Sequence, residues 1–171
     1  MKHFNLKKSS LAAFLIMLAM LLAVSCDVAK EEDNNSETSV YVDVPQNLIG
    51  TWESVTATYT ETYTITKDTF SNGYYEGNNA KVFKINETSG YIYIKYTTAM
   101  NADYTYSKTA PDVGKWYAIS YKNLTDSSVK LSGAYKTGGK TSMATIDEAK
   151  AEFTIENGYF AFYSELLPKK N

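Results

Sequence analysis

The chain has 171 residues, a formal net charge of −2, 15 tyrosines, a single histidine, a single cysteine and no arginine. That length suits one domain with appendages, and an acidic chain without arginine is poorly matched to a nucleic-acid backbone. His3 lies in an N-terminal leader. The rest of the chain therefore lacks the residues for Ser-His or Cys-His catalysis and for zinc, copper or haem sites of the usual nitrogen or sulfur kind. No enzyme, cofactor or metal site is expected.

The leader comes first. Lys2, Lys7 and Lys8 precede the uncharged run from Leu11 to Val24, the pattern of a secretory signal peptide. The run is shorter than the about 20 residues a spanning helix needs. It ends Leu22-Ala23-Val24-Ser25-Cys26, which resembles the lipobox of bacterial lipoproteins, where a small residue precedes a cysteine that becomes lipidated and N-terminal. Ala23 stands where leucine is usual and Leu22 lies one place early, a looser form familiar in spirochaetes. The resemblance implies a signal peptide over 1–25, palmitate-type acylation of Cys26, and lipid anchorage in the cell envelope with membrane and leaflet open. An ordinary secretory signal is the alternative, although a lone cysteine has no disulfide partner to explain it. Several acyl chains hold a protein to a bilayer without any spanning helix.

With the leader gone, three of the 17 lysines leave and all 19 acids stay. Residues 26–46 carry Glu31, Glu32, Asp33 and Glu37 around Asn34-Asn35-Ser36, too polar to fold alone, and read as a flexible tether. From Leu48 onward the apolar period is two. Alternation runs through Tyr63 and Ile65; Phe83 and Ile85; Ile92, Ile94 and Tyr96; Tyr117, Ile119 and Tyr121; Val129, Leu131 and Tyr135; and Phe160 and Phe162. These segments are rich in Tyr, Thr, Ile and Val, which suit a pleated surface. Asn72-Gly73, Gly77-Asn78, Ser89-Gly90, Gly138-Gly139 and Asn157-Gly158 fall between them as turns.

Two stretches depart from the period. Thr98–Val113 has no clear strand beyond a short one around Ala102, Tyr104 and Tyr106, and its length fits a lid or binding segment, with a solvated insertion bearing a tyrosine-rich tip as the alternative. Position is the test: such a lid belongs at the barrel end away from Trp52. In the second stretch, Thr145 stands three residues before Glu148, with Ile146, Ala149 and Phe153 on one helical face. That predicts a capped two-turn helix.

The expected fold is all-β: an antiparallel up-and-down barrel of about eight strands over 47–167, with one short helix before the last hairpin and a tail at 168–171. Closure removes the sheet edges and leaves room for side chains or one small ligand. Asn47-x-x-Gly50-x-Trp52 heads the first strand and resembles the first signature of lipocalins and the wider calycin group. Thr125-Asp126 matches part of their second motif, without the tyrosine that normally follows. Their third motif sets an arginine across the tryptophan; here Lys150 and Lys169 are the candidates. The resemblance implies a barrel whose end Trp52 plugs. A simple strand bend at Gly50 within an open β-sandwich is the alternative.

Carboxylate pairs such as Asp147 with Glu148, Glu152 with Glu156 and Glu53 with Glu61 read as solvated groups rather than a hydrolytic pair. The tyrosines, none before Tyr41, carry the remaining functional signal. The leading expectation is a membrane-anchored protein whose barrel binds a small apolar or amphipathic ligand. Its binding residues would be Ile92, Ile94, Tyr96, Tyr104, Tyr106, Tyr117, Ile119, Phe160 and Phe162. The alternative is a structural or interaction lipoprotein with a filled barrel and an envelope or host protein partner.

Overall fold

The computed structural model describes residues 41–55 and 58–170. The leader, Cys26 and most of the tether lie outside the described residues. The strands are β1 (Gly50–Val55), β2 (Thr60–Ile65), β3 (Phe70–Ser71), β4 (Glu76–Asn86), β5 (Ser89–Met100), β6 (Tyr106–Ser107), β7 (Trp116–Lys122), β8 (Ser128–Gly133) and β9 (Leu167–Pro168), with helix α1 (Ile146–Glu152) between the last two. All pairings are antiparallel, in the order β1-β2-β3-β4-β5-β7-β8-β9, and β6 folds back on β5. The eight strands of that path make a nearly closed barrel with one unsealed seam. The seam lies between the two ends of the path. There β9 meets β1 through the Trp52–Lys169 bridge and the Lys170 N–H donated to the Thr51 carbonyl at 2.7 Å.

Residues paired across strands share a face of the sheet. The pairs Trp52–Tyr63, Ile65–Phe70, Val82–Ile92, Ile92–Ile119, Ile94–Tyr117, Tyr121–Leu131 and Val129–Leu167 thus define the interior. Trp52, Ile65, Phe70, Ile92, Ile94, Ile119, Tyr121 and Leu131 are all buried there. The lumen of the barrel is filled by side chains, as small barrels are.

The outer face of β5 and β7 is covered as well. Tyr41 meets Tyr93 edge-on at 5.8 Å, Phe160 packs on Tyr91 at 5.2 Å, and Tyr163 shares a 2.7 Å hydrogen bond with Ser120. Helix α1 lies against β7, with Ala149 and the C-cap residue Phe153 buried. The Thr145 hydroxyl accepts from Glu148 N–H and the Glu148 carboxylate accepts from Thr145 N–H. This is the capping box its spacing predicts.

The differences from the sequence reading are local. The chain joins the fold before residue 47: Val42 bridges Val82 and Val44 is buried. The tail is also part of the closure, through Pro168, Lys169 and Lys170. Gly77-Asn78 lies inside β4 rather than in a turn, because Gly77 sits under Ile94, whose Cγ1, Cβ and Cδ1 would be within 2.9 Å of any Cβ there. The register slips just after it, between Asn78 and Lys81, and Asn79 takes φ +54°, a β-bulge. The β4–β5 turn falls at Glu87-Thr88, where the Asn86 side chain accepts from Thr88 N–H at 2.9 Å. Gly90 is one step into β5. Phe160 and Phe162 lie in no strand; the chain from Thr154 to Leu166 crosses the outside of the barrel without pairing as a hairpin.

Candidate functional site

The site begins at the rim where β5 and β8 end and β7 starts. Past Tyr96 and Ala99, β5 turns at Asn101–Thr105 and returns as β6, pairing Tyr106 with Met100. The turn is locked locally. Asn101 N–H donates to the Thr105 carbonyl at 2.7 Å, and the Asp103 carboxylate accepts from both the Thr105 N–H and hydroxyl. Those bonds hold the Asp103 carboxyl below its ordinary range. Tyr104 takes φ +64° at the tip.

After β6 the chain comes back to the barrel. Gly114 N–H donates to Tyr96 O and Tyr96 N–H to Lys115 O, both at 2.9 Å. Asp112 faces the segment after β8, where the Thr141 hydroxyl donates to it at 2.6 Å and Lys115 pairs with it at 3.0 Å. Burial pushes against the Asp112 charge, yet Thr141, Ser142 and Lys115 outweigh it and lower its carboxyl pKa. The opposite wall is 134–141. Ala134 N–H donates to Ala118 O, and the turn at Gly138 takes φ +69°.

Between these walls is a cavity of about 730 Å3, within the size range of small-molecule sites. Its floor is Tyr75, Tyr96 and Tyr117. Tyr96 and Tyr117 stack at 5.0 Å, and Tyr75 stands edge-on to both at 5.7 and 5.3 Å. Centroids this close leave no guest-sized gap between the rings. The trio is a platform, with a ligand's place above it. Burial raises all three phenols well above 10, so they stay neutral hydroxyls at ordinary pH. Below the floor, Phe70 stacks on Tyr75 at 5.8 Å and the packed core begins.

Of the binding residues expected from sequence, Tyr96, Tyr104, Tyr106 and Tyr117 line this cavity together. Ile92, Ile94 and Ile119 share their sheet face but are consumed in core packing beneath it. Phe160 is on the other side of the wall, against Tyr91 and Tyr159. Phe162 is 70% exposed beside Tyr135. Alternation misplaces both because no partner strand orients this segment. Sequence reasoning missed Tyr75, Asp112 and the whole wall 134–141. Tyr75 does follow the Asn72-Gly73 turn, a sign that it sits at a barrel end. In 134–141 the sequence marks only the Gly138-Gly139 turn; the place of the segment depends on hydrogen bonds to β7 and to Tyr159.

Trp52 occupies the other end. Its indole N–H donates to the Leu48 carbonyl at 3.1 Å, and Leu48 is itself tied to Pro45. Lys169 lies over the indole, its ammonium 5.1 Å from the ring centroid, a cation–π contact. Lys150 instead reaches Phe83 at 4.4 Å. The glycine two residues before the tryptophan takes φ +153°, a conformation that side chains disfavour, and a Cβ there would also displace the end of Lys169, whose Cε would stand 2.4 Å away. Lys169 is anchored by its N–H to Ser127 O beside the start of β8. The cavity adjoins the residues that follow the end of that strand. The 98–113 segment therefore caps the end away from Trp52.

Four of the six carboxylates weighed for hydrolysis have partners of their own. Glu148 caps α1, Glu152 accepts from Tyr159 at 2.6 Å, Glu53 pairs with Lys170 at 2.9 Å, and Glu61 accepts from Tyr63. Among the described residues no group of three or more His, Cys, Asp or Glu converges to hold a metal, and no helix is long and apolar enough to cross a membrane. Comparison of the chain with protein-family models, with curated proteins and with solved structures finds no match.

Proposed function

We propose that this chain is an envelope lipoprotein, lipidated at Cys26, whose barrel mouth rather than its lumen binds a small amphipathic molecule. One observation carries the binding half: a cavity of about 730 Å3 sits on three tyrosine rings at a barrel end. A mostly apolar hollow with a few polar groups at its edge is the usual form of a small-molecule site. The lipocalin-like reading draws support from Gly50, Trp52 and the overlying Lys169, and from the nearly closed barrel. The anchorage half rests on the leader and Cys26 alone.

The test is binding of the neutral hydrophobic dye Nile red and of short amphiphiles to the purified protein. Binding should saturate in the native chain. It should be lost in Ala102→Trp, where a bulky ring on an exposed wall position fills the mouth without entering the core. Native protein that binds none of these, or undiminished binding in the variant, overturns the reading.

A second reading has its own observation. Two exposed aromatic pairs, Tyr74 with Tyr106 at 5.6 Å and Tyr135 with Phe162 at 5.8 Å, stand near the mouth. Exposed aromatic residues are also the usual anchors of a protein interface. In that case the cavity would receive side chains of an envelope or host protein, and pull-down would require Tyr106 and Phe162 while free amphiphiles would not compete.

A further inference from the structure

Two lysines and one ion-paired acid line the mouth, and the lysine without a partner selects a ligand. Of the acids at this end, Asp112 is the one that lines the cavity, and it is neutralised by Lys115 and held by Thr141. Asp103, on the neighbouring turn, directs its carboxylate onto Thr105. Glu76 accepts from Thr98 at the edge of β4. Two lysines line the opposite wall. Lys136 donates to Asn157 O at 2.9 Å, lies 4.4 Å over the Tyr159 ring and is 3.9 Å from Glu152.

Lys140 differs. Its backbone is fixed, because its N–H donates to the Tyr159 hydroxyl at 2.8 Å and that hydroxyl donates to Glu152. Its ammonium has no ion pair, hydrogen bond or ring contact among the described residues. Of the two lysines that line the apolar cup, Lys140 thus presents the uncommitted positive charge.

The cup also limits the shape of a guest. Directly beneath the tyrosine floor are Phe70 and Ile94, both fully buried, so no tunnel leads downward for a long chain. The floor offers ring faces and edges, which suit another aromatic ring.

We infer that the mouth cavity takes a compact aromatic organic acid, its ring on Tyr75, Tyr96 and Tyr117 and its carboxylate paired with Lys140. This rests on the mouth being a ligand site and adds the ligand's class and the residue that selects it. Lys140 is exposed, so its replacement leaves the fold alone. A solvent-facing ion pair of this kind is worth on the order of a fivefold change in affinity and weakens with salt.

The experiment titrates the full chain and its Lys140→Gln variant with 2-naphthoate, 2-naphthylmethanol and dodecanoate, at low and high salt. The native chain should bind naphthoate about fivefold more tightly than the alcohol, and dodecanoate more weakly than naphthoate. The preference for naphthoate over the alcohol should disappear in Lys140→Gln and shrink with salt. Equal binding of acid and alcohol by the native chain, or a preference that survives Lys140→Gln, overturns the assignment of Lys140 while leaving the mouth a ligand site. Tighter binding of dodecanoate overturns the compact aromatic class. Failure of every probe, the neutral alcohol included, overturns the ligand site itself.

Discussion

Replacing Trp52 with Phe probes the closed end of the barrel, and three contributions set the expected loss. The Leu48 carbonyl, on a fully buried residue, loses its indole donor; a buried acceptor left unsatisfied costs about 1–3 kcal/mol. Phenylalanine is smaller by roughly 40 Å3, and a cavity of that size costs about 1 kcal/mol. The Lys169 ammonium at 5.1 Å faces a weaker π system, a loss of about 0.5 kcal/mol. Together the substitution should cost about 3 kcal/mol, with a fall in Tm of about 10 °C for a domain of this size. Urea and thermal unfolding of the purified protein measure both quantities. Binding at the mouth, measured well below the unfolding range, should be unchanged because the cavity lies at the opposite end. A loss below 1 kcal/mol would refute the plug, and a fully folded variant with weakened ligand binding would refute the separation of the two ends.

Gly90→Ala should destabilise by about 2–4 kcal/mol, since its Cβ would stand 2.4 Å from the Phe83 carbonyl oxygen and 2.8 Å from Tyr121 Oη. Gly114→Ala has open space and only its φ of +83° to oppose it, so about 1 kcal/mol is expected; chemical denaturation checks the order. Alkali should unfold the domain. Burial raises the Tyr121 phenol to about 12 and also, with the Glu152 carboxylate, the Tyr159 phenol to about 12. The unfolded chain releases these protons near pH 10 while the folded one keeps them. Stability is therefore full below pH 10 and falls between about pH 10 and 12, and tyrosinate absorbance should appear together with unfolding; free titration of all tyrosines near pH 10 in folded protein would contradict this. Cys26→Ser should move the protein from the membrane fraction to the soluble one and abolish palmitate labelling, and labelling that persists in the variant would reject the lipid anchor.

The barrel was legible because period-two alternation is a local property that a closed sheet obeys strand by strand. Ile92, Ile94, Tyr117 and Ile119 fall on one face by that rule, and the register places them there. Thr145 and Glu148 announced the helix for the same reason, since a capping box is complete within four residues. What was not legible depends on contacts distant in sequence. Gly77 and Gly90 read as turn residues, but each is a strand glycine crowded by neighbouring strands, Gly77 by the Ile94 side chain and Gly90 by the Phe83 carbonyl and the Tyr121 ring. Phe160 and Phe162 alternate correctly without a strand to pair with. Half of the mouth was visible, because a long segment with tyrosines before Trp116 had to go somewhere at a barrel end. The other half, 134–141, is held by Thr141 to Asp112 and Lys140 to Tyr159, pairings no local pattern encodes.

On the proposed function, ligand binding belongs to the tyrosine-floored mouth and leaves the filled core and the Trp52 end untouched. Its most direct test is an amide and indole NMR titration of the protein with a naphthyl amphiphile, charged or neutral. Saturable shifts should be concentrated at Tyr96–Ala102 and at 134–141, with the Trp52 indole N–H unmoved. Largest shifts at Leu48 and Trp52, or none in either mouth segment at saturating amphiphile, would contradict it.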